Sequence, residues 1–275
     1  MNDIKLLALD LDGTLFNKEK IVSDANKEAI FVAKELGIKV VITTGRPLLA
    51  IGNLLDELGL LDDDDYCITF NGGLVQRNTG EILDKSSLSL EEVSYLHQQL
   101  QLLQLPTDIL SDGKVYSIPS PDGRRSEYYL ASPLLDFVEI ADFDQLPKGI
   151  VYNKIVTVTD ADFLDEALAG AKEDAFENFE AFKSRDIIFE VMPKGVHKAF
   201  GLQLLCKHLG FSAENVMAMG DEANDFTMLE WAGLGVAMAN AVADAKQIAD
   251  KVTRLTNDQS GVAEAIQKYI LNEEI

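Results

Sequence analysis

Positive charge is scarce in this sequence: 24 Lys and Arg stand against 46 Asp and Glu, for a formal net charge of −22. So acidic a surface repels nucleic-acid phosphates and anionic lipid, which argues against both as partners. It also repels anionic small molecules, so any phosphate site has to carry its own local cations. Cysteine is scarcer still. Cys67 and Cys206 are the only two and lie far apart, which argues against a disulfide framework or a cysteine-built metal site and leaves two buried thiols in a reducing compartment as the expectation. With 7 Pro and 19 Gly in 275 residues, the chain is neither collagen-like nor disordered in composition. Long apolar runs are missing too. No stretch is long enough to span a bilayer. Met1-Asn2-Asp3 lacks the basic region of a signal peptide, and the apolar run behind it is broken by Asp10 and Asp12. A soluble cytoplasmic protein is expected. No internal repeat or low-complexity segment is present, and the acidic run at residues 62–65 reads as a solvated loop.

What is present is ample material for a core: 47% hydrophobic residues in a length that allows one large or two modest domains. Residues 5–9 are nearly all apolar, as suits a strand buried on both faces of a parallel sheet. Ser23 is placed to cap a helix through Leu36, with Ile30, Val32, Ala33 and Leu36 on its apolar face and Gly37 ending it. Residues 38–43 read as a second buried strand. Pro47 suits the first position of a helix running to about Leu58. Residues 66–70 read as a third strand, meeting the turn Asn71-Gly72-Gly73. This alternation predicts an α/β fold with a doubly wound, mostly parallel Rossmann-like sheet. Ligands of such sheets bind beyond the carboxyl ends of the strands, where Asp10, Thr44 and Asn71 all fall.

The middle of the chain reads differently. A helix is expected at residues 91–103 and another at 163–172. Strands are expected at 116–118, 128–130, 155–158 and 187–191, with turn-rich pieces between them. Together they predict an inserted α+β domain over residues 85–187, flanked by a core of residues 1–84 and 188–275. The α/β pattern resumes with a helix at 198–209, a strand at 216–219 ending in Gly220-Asp221, a helix from Phe226, a strand at 234–236 and a last helix at 261–270.

Four constellations carry chemistry. Asp10-Leu11-Asp12-Gly13-Thr14 ends the first strand, and carboxylates two residues apart on an extended chain point the same way. One suits a nucleophile attacking phosphorus and the other a general acid and base. An EF-hand frame also places Asp10, Asp12, Gly13 and Glu19 at ligand positions, but Ala8 would fill its first position and the preceding residues are strand-like. Thr44-Gly45, expected to open a helix, offers a hydroxyl, free N–H groups and a helix dipole to a phosphate. Lys198, at a helix start, can neutralise a phosphate oxygen and the attacking carboxylate together. Gly220-Asp221-Glu222-Ala223-Asn224-Asp225 follows a strand. There Asp221 can complete a hard-oxygen site with Asp10 for magnesium, Asn224 can donate to phosphate, and Asp225 can orient Lys198 or a metal-bound water.

In order and spacing, Asp10-x-Asp12-Gly13-Thr14, Thr44-Gly45-Arg46, Lys198 and Gly220-Asp221-x-x-Asn224-Asp225 resemble the four motifs of the haloacid dehalogenase-like hydrolases. The long insert is similar to the C2B cap of the Cof subfamily. The segments from Asp65 to Gly72 and from Gly235 to Ala241 resemble those of its bacterial sugar phosphatases. The resemblance implies that Asp10 is the nucleophile and a magnesium ligand. Asp12 would be the acid/base and give its backbone carbonyl to the metal, with Asp221 as the other ligand. Thr44, Gly45, Lys198 and Asn224 would bind phosphate. It implies a Mg²⁺-dependent phosphatase of small phosphorylated metabolites, as monomer or homodimer, working through an aspartyl phosphate, with the cap closing to exclude water. Asp12 would need a raised pKa to start protonated. Arg46 and Asn71, at strand ends, are candidates to reach the leaving group or phosphate. Arg124, Arg125, Tyr128 and Lys183 of the cap read as surface groups with a possible sugar contact. His197, beside Lys198, is a candidate to face the substrate, whereas His97 and His208 read as incidental. A phosphomutase on the same scaffold and a non-catalytic sugar-phosphate sensor stay open as alternatives; the absence of membrane spans argues against a P-type ion pump.

Overall fold

In the computed structural model, which describes residues 3–273, the first apolar run is strand β1 (Leu6–Leu9), with all four side chains buried. Ser23 caps helix α1 (Asp24–Glu35), its hydroxyl accepting from the Asn26 N–H, and Gly37 beyond the helix has φ +83°. Ala29, Ile30 and Ala33 face inward. Leu36, expected on that face, is 62% exposed because it lies past the last helical residue. After β2 (Lys39–Thr43), the single helix expected from Pro47 does not form. Pro47 is extended, a 3₁₀ turn covers Leu48–Ile51, Gly52 has φ +65°, and only α2 (Leu54–Glu57) is α-helical. A left-handed residue cannot continue a right-handed helix, so Gly52 divides the segment. Strand β3 (Tyr66–Thr69) is followed by an unanticipated pair, β4 (Leu74–Arg77) and β5 (Ile82–Lys85).

The insert begins with α3 (Leu90–Leu102), whose start carries a Ser89/Glu92 capping box. There follow β6 (Thr107–Ser111), β7 (Lys114–Ile118), α4 (Tyr128–Ala131), β8 (Asp136–Glu139), β9 (Lys154–Val158), α5 (Ala161–Ala169), β10 (Phe179–Arg185) and β11 (Ile188–Pro193). They form a six-stranded sheet ordered β10-β11-β9-β6-β7-β8. Val93, Leu96 and Leu100 of α3 and Leu164 of α5 pack with Ile109, Ile155, Phe189 and Val191 of its strands. Residues 128–130, expected as a strand, are one helical turn instead, started by the Ser126 hydroxyl accepting from the Tyr128 N–H. Three residues are too few for periodicity to separate the two states.

The α/β pattern then returns with α6 (Lys198–Leu209), β12 (Val216–Gly220), α7 (Phe226–Trp231), β13 (Leu234–Ala237), α8 (Ala243–Ile248), β14 (Lys251–Val252) and α9 (Gly261–Tyr269). Gly210 ends α6 in the left-handed conformation that closes a helix. The core sheet is ordered β14-β13-β12-β1-β2-β3-β4-β5, parallel from β14 to β3 and antiparallel beyond. Leu202, Leu205 and Cys206 of α6 and Met228 of α7 pack with Leu6, Ala8, Val41 and Ile68 of the sheet. α1 packs with α9, and the buried Asn26 side chain accepts from the Ala263 N–H at 2.9 Å.

The described residues divide into two compact units. One runs up to Arg46, resumes over Asn53–Lys85 and again from His197; the other is Pro47–Gly52 with Ser86–Val196. The core therefore resumes at His197 rather than at residue 188, because β11 pairs with β10 and β9 in the insert's own sheet. Pro47–Gly52 joins the insert, where Leu49 lies against Gly113. No helix of the described residues is long and apolar enough to cross a membrane.

Candidate active site

Strands β12, β1, β2 and β3 are neighbours, parallel, and end at one edge of the core sheet. Backbone bonds knit those ends together: Asp10 N–H to Met219 at 3.1 Å, Thr44 N–H to Ile68 at 2.9 Å, and Asn71 N–H to Thr44 at 2.9 Å. Asp10, Thr44, Asn71 and Asp221 thus arrive at one edge from four strands.

At its centre is Lys198, fully buried at the first turn of α6. Its Nζ reaches Asp10 Oδ1 at 2.5 Å and Asp225 Oδ1 at 2.6 Å. Oxygen atoms of Asp10, Asp221 and Asp225, all buried, lie within 4.8 Å of one another. Two carboxylates thus bond one ammonium, and a third stands close by. Burial pushes the Asp10 carboxyl up, Asp225 adds to the effect, and Lys198 only partly opposes it. Burial, and then Asp225, likewise push Asp221 up to about 7 despite the hydrogen bond from Thr14. Burial lowers the Lys198 ammonium, but Asp10 and Asp225 outweigh it and hold the group protonated. Asp225 has little left to offer a metal. Its Oδ1 takes Lys198, and its Oδ2 accepts from the N–H groups of Asp221 at 2.8 Å and Glu222 at 3.1 Å. Asp10 and Asp221 remain as the groups whose charge is least answered. A divalent cation with a preference for carboxylate oxygen, such as Mg²⁺, fits that donor set. Thr14 Oγ1 donates to Asp221 Oδ1 at 2.7 Å, and Gly13, at φ +86°, leaves room for the same carboxylate: a Cβ there would lie 2.1 Å from Asp221 Oδ2.

Asp12 departs from expectation. Arg46 grips it in a fork, Nε to Oδ2 at 2.9 Å and Nη2 to Oδ1 at 2.7 Å, and Lys20 Nζ also contacts Oδ1. Burial pushes the Asp12 carboxyl up, but Arg46 and then Lys20 outweigh it and hold it at about 2. The raised pKa expected of an acid is absent, because two cations on one carboxylate favour its ionised form. Arg46, expected at the phosphate or leaving group, is engaged with Asp12. Lys20 gave no signal in the sequence; it reaches Asp12 only through a left-handed turn, φ +61°, in the loop after β1.

Thr44 is buried, and its Oγ1 accepts from the Arg46 N–H at 3.2 Å. No helix follows it, so the expected dipole is missing and the hydroxyl and strand-end amides remain. Asn71 is buried in the left-handed region, φ 51°. Its amide packs where a Gly45 Cβ would stand, and its Nδ2 has no hydrogen-bond partner among the described residues. Asn224, expected to donate to phosphate, donates to Asn71 Oδ1 at 3.2 Å. His197 caps α6 through Nδ1, accepting from the Phe200 N–H at 3.1 Å. His97 Nδ1 lies 3.0 Å from Thr107 Oγ1. Among the insert's candidates, Arg125 pairs with Glu139, Lys183 with Asp165, Arg124 lies over the Phe163 ring at 3.7 Å, and Tyr128 is buried.

Residues 7–266 match the family described as haloacid dehalogenase-like hydrolase. The 5-amino-6-(5-phospho-D-ribitylamino)uracil phosphatase YcsE of Bacillus subtilis is 33% identical over 98% of this chain and 97% of its own length. The phosphatase YwpJ of the same organism is 30% identical over 98% of this chain and 100% of its own length. A haloacid dehalogenase-like hydrolase structure from Bacteroides thetaiotaomicron superposes with a TM-score of 0.83 at 32% identity, covering 96% of this chain and 99% of that one. A sugar phosphatase of subclass IIB of the same superfamily superposes at 0.80 with 26% identity, covering 97% and 99%. With sequence, topology and the gathering of four motif segments at one sheet edge in agreement, the chain belongs to the haloacid dehalogenase-like hydrolases.

Proposed function

We propose that the protein is a Mg²⁺-dependent phosphatase of small phosphorylated metabolites, sugar phosphates foremost, acting through an aspartyl phosphate on Asp10. The observation that carries this reading is the charge imbalance around Lys198, with three buried carboxylates around one ammonium. A structural ion pair needs no such surplus, whereas a site for a divalent cation does, and the bound cation in turn offsets the charge of an arriving phosphate. Asp10 and Asp221 would hold the metal, which would supply positive charge to offset the repulsion between the carboxylates and a phosphate.

Asp10 attacks phosphorus in line, and the bond to the leaving oxygen breaks as that oxygen takes a proton from Asp12. Lys198 and Thr44, with the Gly45 amide, Asn71 and Asn224, hold the phosphoryl oxygens. Water then attacks the aspartyl phosphate and gives its proton to Asp12, releasing phosphate and restoring Asp10. The ionised Asp12 held by Arg46 and Lys20 is the form that accepts this proton. The acid form needed first arises when substrate draws those cations to its own oxygens. Asp225 steers Lys198.

Release of inorganic phosphate from a panel of phosphorylated metabolites, with and without Mg²⁺, tests the reading. Turnover by the wild type that disappears in Asp10→Asn supports it. Near-wild-type turnover by Asp10→Asn overturns it, and conversion of one phosphate isomer into another without free phosphate replaces it with a mutase.

A further inference from the structure

A fifth strand, β13, lies beside β12 and parallel to it, and ends at the same sheet edge. The segment behind it, residues 238–242, touches both halves of the candidate metal site. On one side it holds the backbone that carries Asp221. The Met238 N–H donates to the Gly220 carbonyl at 3.1 Å, and the Val242 N–H to the Asp221 carbonyl at 3.0 Å. On the other side it holds the loop that follows Asp10, where Asn240 Nδ2 donates to the Gly13 carbonyl at 2.8 Å. Thr14, the next residue, donates from Oγ1 to Asp221 Oδ1 at 2.7 Å. The contacts close on themselves, from Asn240 through Gly13, Thr14 and Asp221 to Val242. In that circuit Asn240 is the link from residues 238–242 to the Asp10 loop.

The Asn240 amide is held in one orientation. Its Oδ1 accepts from the Asn257 N–H at 2.9 Å, and Asn257 Nδ2 donates to the Phe16 carbonyl at 2.8 Å. Turning the Asn240 amide over would set its NH₂ against an N–H and its oxygen against the Gly13 carbonyl. Two asparagines thus fix two carbonyls of the loop after β1. Gly13 gains most from outside support, because a glycine at φ +86° has no side chain to anchor it and many other conformations open to it.

This brace works against repulsion. Oxygen atoms of Asp10 and Asp221 lie within 4.8 Å of each other at the ends of separate strands, and wherever both are ionised they push those strand ends apart. The Thr14 hydroxyl draws the two halves together from within the site; Asn240 does so from the exposed side. A cation that needs both carboxylates binds more tightly when they are held in place beforehand, since less order has to be imposed on binding. We propose that Asn240, its amide locked by Asn257, is a positioning residue that sets the spacing between the Asp10 loop and Asp221, and with it the affinity of the site for a divalent cation. This rests on the metal site of the phosphatase reading and adds a residue outside its carboxylates.

The test reads the site without substrate. Mn²⁺ is titrated into metal-free protein, and free Mn²⁺ is followed by its EPR signal. Asn240→Ala and Asn240→Leu, the second close to asparagine in shape but lacking the amide, each raise the Mn²⁺ Kd about tenfold, the scale on which loss of a group supporting a metal ligand acts. Asn240→Gln, which keeps an amide, loses less. In metal-free buffer the urea midpoints of all three stay close to the wild type's, since the bond removed is at an exposed position. Unchanged Mn²⁺ affinity in Asn240→Ala and Asn240→Leu overturns the proposal. So does an affinity loss confined to variants whose metal-free midpoint also falls, which would make Asn240 a staple of the fold. Wild-type protein that binds Mn²⁺ but hydrolyses no phosphate ester overturns the phosphatase and leaves the positioning role standing. Wild-type protein that binds no Mn²⁺ overturns both.

Discussion

Lys198 in the core and Lys154 in the insert are both buried, at 0% and 2% exposure, yet they stand in opposite charge balances. Lys154 meets one carboxylate, Glu190, at 2.6 Å, and the second oxygen of Glu190 accepts from the Ser184 hydroxyl at 2.7 Å. Lys198 meets two carboxylates, with Asp221 close by as a third. In the insert, one charge answers another across neighbouring strands. The core cluster is open and waits for positive charge. A buried ion pair is weak evidence for function; a buried ion cluster that does not sum to zero is much stronger.

The comparison breaks most visibly at Asp10. Asp10→Asn is expected to lower phosphate-ester turnover by on the order of 10⁴-fold, since in the proposed mechanism the residue forms the covalent intermediate. A steady-state assay with Mg²⁺ present reads it directly.

Next comes stability. Lys154→Met leaves Glu190 buried without its partner and is expected to cost about 3–5 kcal/mol by urea unfolding. The double change Lys154→Met with Glu190→Leu recovers most of that loss. Neither midpoint should respond to Mg²⁺ more than the wild type's does. Lys198→Met leaves three carboxylates unanswered, so its unfolding midpoint should depend on Mg²⁺ more steeply than the wild type's. Equal Mg²⁺ dependence for Lys198→Met and Lys154→Met removes the distinction between the two lysines.

A smaller effect sits in the insert at Asp108, on β6. Burial pushes its carboxyl up to about 6, only partly offset by the Ser117 hydroxyl, which donates to Oδ1 at 2.6 Å. The unfolded chain then ionises first, near 3.8. Between these two values the unfolded state binds fewer protons, so stability falls as pH rises from about 4 to about 6 and is level above, by at most about 3 kcal/mol. Asp108→Asn should flatten that descent in unfolding curves taken across the window. An unchanged slope would assign it to other groups.

The smallest expected signal is at the thiols. Burial pushes Cys67 up to about 12 and Cys206 to about 11. Neither is expected to react with iodoacetamide in the native protein at neutral pH, and both should label once urea unfolds it.

Much of the core was legible in the chain because its signals are local. The all-apolar run of β1, Ser23 before α1, and Gly210 after α6 each act within a few residues. The order of Asp10, Thr44, Lys198 and Asp221 along the chain was enough to expect a phosphoryl-transfer site, since each follows a recognisable strand or opens a recognisable helix. Where local signals conflicted or ran short, the reading failed. Gly52 stopped a helix that Pro47 seemed to start, and residues 128–130 carried too few positions to show a period.

By itself, the sequence determined the α/β class, the strand ends that carry the acidic motifs, and the strong negative charge against which any anion site has to work. Only tertiary structure decided what those acids touch. It brought Lys20 and Arg46 onto Asp12 from 8 and 34 residues away, and Lys198 onto Asp10 from 188 residues away. The pKa of a carboxyl is set by burial and by charges a few ångströms off in space. Neither quantity is written in the order of residues along a chain, which is why a raised pKa was expected of Asp12 and the fold instead clamps it as an ionised carboxylate between Arg46 and Lys20.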